Sequence, residues 1–215
     1  NQTDYEYNKL SEKVLNLMEN SYILCDYSHK NLEYYPECLR EKVKLLLPLI
    51  KEKQEEQEQK QEQEEKEEKI DILFIGTLNI RRNKILEELK KHNIKKNLNY
   101  NIRIVSNIFG KKLDKLIKNS KLVINLHYYD NALLEIFRIH ELLVYDCKIL
   151  SENPGTEEER ELIEKYSKVV NFFPIINDDL SNIENMFNLI DKNLNNKIDF
   201  VERKKFIYQV NDKNK

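Results

Sequence analysis

From Ile72 to Glu152 the chain alternates short, nearly continuous runs of Ile, Leu, Val and Phe with longer stretches of helical periodicity. That alternation admits few folds. Strands separated by helix-length segments pair in parallel, and apolar runs without polar alternation need helices over both faces of the sheet. The pattern predicts strands over Asp71 to Ile75, Asn101 to Ser106, Leu122 to Leu126, Lys148 to Leu150 and Val169 to Phe172. Helices are expected over Arg82 to His92, Gly110 to Asn119, Asn131 to Tyr145, Glu157 to Tyr166 and Leu180 to Asn193. The expected fold class is α/β, a Rossmann-like parallel sheet flanked by helices, with any ligand beyond the carboxyl ends of the strands.

The 215 residues suffice for one large unit with a full core. With 36 Lys and Arg against 38 Asp and Glu, the net charge of -2 argues against a nucleic-acid binder driven by phosphate neutralisation. Cys25, Cys38 and Cys147 are odd in number and lack CxxC spacing, which speaks against a disulfide framework or zinc site and for a reducing, cytoplasmic setting. No apolar run reaches the roughly 18 residues of a membrane span. The first residues carry no signal-peptide pattern, and a start at Asn1 rather than Met is expected of a fragment.

A composition shift divides the chain. Residues 51–69 are only Glu, Gln and Lys, a low-complexity tract that can bury nothing and reads as a solvated helical or disordered spacer. Before it, residues 1–50 suggest a helix over Tyr7 to Met18, a strand at Tyr22 to Cys25, a helix over His29 to Tyr35 capped by Ser28, and a strand over Lys42 to Ile50 interrupted by Pro48. After it, residues 70–176 form the expected Rossmann-like domain and 177–215 its closing helices.

Residues able to carry chemistry gather at the expected strand ends. Gly76-Thr77 leads into Arg81 and Arg82, where glycine lets backbone amides approach a phosphate and arginine can clamp it. The same residues also suit a tight turn with two solvated arginines. No Walker motif or dinucleotide GxGxxG is present. Asn125-Leu-His127-Tyr-Tyr129 leaves the next strand with groups that hydrogen-bond and stack, or that merely cap the sheet. Glu135, Arg138 and Glu141 recur along one helix face, either facing the crevice or forming a salt-bridged surface. Ser151-Glu152 follows the fourth strand of this series.

In order and spacing these motifs resemble the donor-binding half of GT-B type glycosyltransferases of the group 1 kind. The motifs are Phe74-Ile-Gly-Thr77 with Arg81-Arg82, Ile108-Phe-Gly110, Val123 to Tyr129, Leu134 to Glu141 and Ile149 to Glu152. Asp26-Tyr-Ser28-His-Lys30-Asn31 looks like the segment joining the two halves, and the likeness covers roughly residues 20 to 50 and 70 to 205. The resemblance implies a UDP- or GDP-sugar donor, no tightly bound cofactor, no evident divalent metal, and a glycan, protein or lipid acceptor. It would place Arg81 and Lys84 near the diphosphate, and Glu135 and Glu141 near the sugar and ribose. Glu135 and His127 become the candidate catalytic groups, with Gly76, Thr77, Arg82, Asn125, Arg138, Ser151 and Glu152 completing the donor site.

Two departures accompany the resemblance. Five residues separate Glu135 from Glu141, fewer than in the retaining enzymes of that class. The residues before the spacer are also too few for a complete acceptor-binding half, so a fragment, a degenerate enzyme or a subunit completed by a partner is expected.

A competing motif lies near the C-terminus. Asp191, Asn193, Asn195, Asp199 and Glu202 occupy positions 1, 3, 5, 9 and 12 of an EF-hand calcium loop, preceded by a helix bearing Met186, Phe187 and Ile190. Asn196 stands where the loop needs glycine.

Overall fold

The computed structural model describes residues 11–51, 69–129, 132–155 and 160–212. The expected spacer, apart from Lys51 and Lys69, lies outside them, as do Asn131 and Glu157, the expected first residues of two helices.

Five parallel strands form the main sheet: β3 (Ile70–Ile75), β4 (Ile102–Val105), β5 (Ser120–Asn125), β6 (Lys148–Glu152) and β7 (Asn171–Phe173). Their order is β4-β3-β5-β6-β7. The chain therefore leaves β3 toward one edge and returns to place β5 on its other side, which opens a crevice at the carboxyl ends of β3 and β5.

Because successive strand side chains point to opposite faces, the apolar runs divide into two cores. Leu73, Val123 and Ile149 share one face with residues of α4 (Lys111–Lys118), α5 (Ile136–Leu143), α6 (Arg160–Tyr166) and α8 (Phe200–Asp212). Ile72, Phe74, Leu122, Ile124 and Leu150 share the other with α3 (Ile80–Lys95) and α7 (Ile183–Asn195). The α/β reading of the sequence is what the structure shows.

Boundaries differ where backbone constraints intervene. Asn79 caps α3 by accepting from the Arg82 amide, so that helix starts earlier than Arg82. Leu180 and Asn182 adopt φ of 65° and 70°, which delays α7 to Ile183. Glu135 has φ -75° and ψ 65°, so α5 begins at Ile136 and Glu135 stands just outside it.

The N-terminal segment comprises α1 (Glu12–Asn20), β1 (Leu24–Asp26), a 3-10 turn over Lys30–Tyr34, α2 (Glu37–Arg40) and β2 (Val43–Leu45). Ser28 Oγ does accept from the Lys30 amide, but the turn it opens is 3-10 rather than α. β1 and β2 pair in parallel as a separate two-stranded sheet. After β2 the chain loses ladder pairing and docks on the large domain. Asn211 of α8 clasps Ile50, its Oδ1 accepting from the Ile50 amide and its Nδ2 donating to the Ile50 carbonyl, both at 2.9 Å.

Candidate functional site

The glycine that ends β3 is required by its surroundings. Gly76 has φ +155°, and a Cβ there would stand 3.2 Å from Arg82 Nη1 and 3.3 Å from Phe74 Cζ. The chain can then turn into α3, whose first residues carry both arginines into the β3/β5 crevice.

Neither arginine is solvated. Arg81 is 9 % exposed and Arg82 is 3 % exposed. Arg81 donates to the His127 carbonyl (2.9 Å), the Ile176 carbonyl (2.8 Å) and both oxygens of Glu152. Arg82 donates to the carbonyls of Leu126 (2.6 Å) and Thr77 (2.8 Å), and its Cζ lies 5.2 Å from the Tyr128 ring centre. The guanidinium groups thus stitch the ends of β3 and β5 together, satisfying carbonyls that leave the ladder. Burial is the largest influence on Arg82 and lowers its pKa; Glu135 opposes that effect.

Glu152 forms the other half of this junction. Fully buried at the end of β6, it accepts from the amides of His127 (2.6 Å) and Ile176 (3.0 Å) as well as from Arg81. A buried carboxylate survives only with such partners.

His127 is also enclosed. Its Nε2 lies 3.0 Å from the Asn153 carbonyl, which can only accept, so Nε2 carries the proton and Nδ1 is the bare nitrogen. Burial lowers the His127 pKa, keeping the ring neutral, and Nδ1 has no partner among the described residues. In this arrangement the ring presents no nitrogen to solvent.

The accessible chemistry sits one layer out. Arg138 Nη1 donates to Asn125 Oδ1 (2.9 Å) and lies 2.7 Å from Glu135 Oε2, while Glu135 Oε1 is 3.5 Å from Arg82 Nη2. The Glu135 and Arg138 side chains are 26 % and 30 % exposed, so a ligand can reach them where it cannot reach Arg81. Asn125 is held by donating to Ser151 Oγ at 3.1 Å.

The structure thus brings together Gly76, Thr77, Arg81, Arg82, Asn125, His127, Glu135, Arg138, Ser151 and Glu152. It leaves two expected members outside: Lys84 is exposed and donates to the Asp178 carbonyl, and Glu141 is exposed on α5, where it acts electrostatically on Tyr145. Sequence reasoning missed Asn79, whose Nδ2 holds the Tyr128 carbonyl at 2.7 Å. Its position as a cap residue just before a helix was the available signal.

The EF-hand motif takes a different form. α7 runs on through Asn195, so Asp191, Asn193 and Asn195, each two residues from the next, project from a continuous helix at about 200° intervals and do not converge as loop ligands. Asp191 accepts from the Tyr100 hydroxyl, buried Asn193 accepts from Asn171 Nδ2, and Asp199 caps α8 through the Val201 and Glu202 amides. Glu202 lies in the first turn of that helix.

No family model matches the chain. Over 108 residues it is 28% identical to an uncharacterized protein of Acanthamoeba polyphaga mimivirus, covering 50% of this chain and 33% of that protein. The chain therefore spans about a third of the length of that relative. Among the described residues no helix is long and apolar enough to cross a membrane.

Proposed function

We propose that the β3/β5 crevice binds a nucleotide sugar, UDP- or GDP-linked, as the donor half of a GT-B-like glycosyltransferase, for transfer to a glycan, protein or lipid acceptor held by a partner body. The observation that supports this reading is the charge at the crevice. Arg81, Arg82 and Arg138 face Glu135 and Glu152, while His127 stays neutral, which leaves one positive charge over.

That excess suits a diphosphate. Arg138 is the guanidinium a ligand can touch, and the buried pair behind it supplies fixed positive potential where water is excluded. Charge developing on a leaving nucleoside diphosphate would be stabilised without reorganisation, since carbonyls already hold Arg82 in place. Glu135, the reachable carboxylate beside it, is placed to accept from sugar hydroxyls. Exposed Phe109 after β4, and Tyr129 and Phe137 after β5, offer faces on which a base can stack.

The test is a thermal-shift series with UDP, GDP and their sugar conjugates on the native chain and on Arg138→Gln. A ligand present at 100 times its Kd adds about 2.7 kcal/mol of stability. Stabilisation by one nucleotide that vanishes in Arg138→Gln supports the proposal. No response to any nucleotide, or an equal response in the variant, overturns it.

A further inference from the structure

At the amino-terminal end of the sheet, opposite the crevice, an open cleft of about 190 Å³ lies between the starts of β6 and β7 and the segment linking α7 to α8. Lys148, Lys168, Lys197 and Arg203 line it, and Asp199 is the one carboxylate residue in the lining among the described residues. The calcium-like motif forms part of this wall with reversed electrostatic sense. The Asn193 and Asn196 carbonyls accept from the Lys148 ammonium, a cation supplied by the chain itself.

The charge surplus survives the opposing charges named at its lining and at Arg203. Asp199 spends its Oδ1 on capping α8, and Asp146 acts on Arg203 from outside the lining. α6 and α7 end at the cleft with about half a negative charge each, whereas α8 starts there with about half a positive one. Set against four cations, these leave between one and two positive charges.

Two of the cations are uncommitted. Lys168 and Lys197 are exposed and make no ion pair or hydrogen bond among the described residues. Arg203 is 5 % exposed and donates to the Tyr145 (2.6 Å) and Cys147 (2.9 Å) carbonyls, while its Nε–H has no acceptor among the described residues. The volume falls below the roughly 300–1,000 Å³ that encloses a whole organic ligand. A compact anion fits.

We propose that this cleft is a binding site for a phosphate group, carried by inorganic phosphate or by a small phosphomonoester. The site lies at the other end of the strands from the crevice and does not rest on the nucleotide-sugar reading.

The experiment is an NMR titration of the full, ¹⁵N-labelled chain with inorganic phosphate and with glycerol 3-phosphate, ionic strength held constant with chloride. The expected result is a saturable shift of the Arg203 Nε–H signal and of the amides of residues 197–202. Lys168→Ala combined with Lys197→Ala should weaken binding about tenfold, since each exposed charge contributes a fraction of a kcal/mol. Both lysines are exposed, so the variant should keep the native spectrum. Tighter binding of the ester would assign the site to a small phosphorylated molecule, and tighter binding of phosphate would assign it to the free ion. Absence of a saturable shift, equal affinity in the double variant, or shifts confined to Arg138 and its neighbours would overturn the proposal.

Discussion

Arg81 and Glu152 face each other as a two-pronged ion pair inside the protein, joining the first turn of α3 to the last residue of β6. Each partner also binds backbone at both His127 and Ile176, so one pair closes the ends of β5 and β6 and the segment after β7. The carboxyl end of the sheet is built around it.

Removing one charge should therefore be far worse than the surface position of most arginines would suggest. Glu152→Gln is expected to lower stability by about 3–5 kcal/mol, because a buried guanidinium is left uncompensated. Urea unfolding would show it. A double-mutant cycle with Arg81→Met should recover part of the loss; a loss under 1 kcal/mol in the single variant would contradict the pairing.

Arg138→Gln should behave in the opposite way. Its ion pair with Glu135 is partly solvated, and such pairs contribute about 1 kcal/mol or less. The expected melting curve without ligand is close to native, which separates its role in binding from any role in folding.

Gly76→Ala should destabilise by about 1–3 kcal/mol, from the strain of φ +155° and the approach to Arg82 and Phe74. Calorimetry of this variant beside Gly110→Ala is informative. Gly110 also has positive φ, of 60°, but a Cβ there meets nothing, so the difference between the two reports the crowding at Arg82 and Phe74 together with the difference in backbone strain.

Stability should fall on acidification through His140. Burial lowers its pKa from 6.5 to about 4, the hydrogen bond to the Pro48 carbonyl opposing this only in part. Nδ1 donates to that carbonyl at 2.7 Å, so Nε2 must accept from the Tyr166 hydroxyl, and the ring is neutral. The unfolded chain takes up the proton first as pH drops below 6.5, while the folded chain resists until about 4. The contribution is complete above pH 6.5 and is lost between there and pH 4, by up to about 3 kcal/mol. Melting temperature against pH for the native chain and His140→Gln measures it; identical profiles would remove His140 as the cause.

How much of the site could be read in advance differs from residue to residue. The residues at the crevice were nearly all visible as strand-end polar groups: Gly76, Arg81, Arg82, Asn125, His127, Ser151 and Glu152 do meet there. Their division into structural and reachable groups was not visible. Two arginines at a helix start look the same in sequence whether they wait for a phosphate or fill the crevice with their own hydrogen bonds. Glu141 looked like a partner of Glu135 because a helix was extended back to Asn131. The late start of α5 removed that relation. The calcium motif failed similarly, since α7 continues through Asn195 with its Phe187, Ile190 and Leu194 packed in the core.

The alternation of apolar runs and helical segments was enough to decide an α/β fold and the sheet end at which polar residues gather, because side-chain period and strand length are local properties. Only the tertiary structure decided which charges are buried, that Glu152 and not solvent holds Arg81, and that Lys148 and Arg203 meet beside the start of α8. The partners in these contacts, Arg81 with Glu152 and Arg203 with the Cys147 carbonyl, stand 71 and 56 positions apart, and their energies depend on desolvation that exists only once the sheet has closed over them.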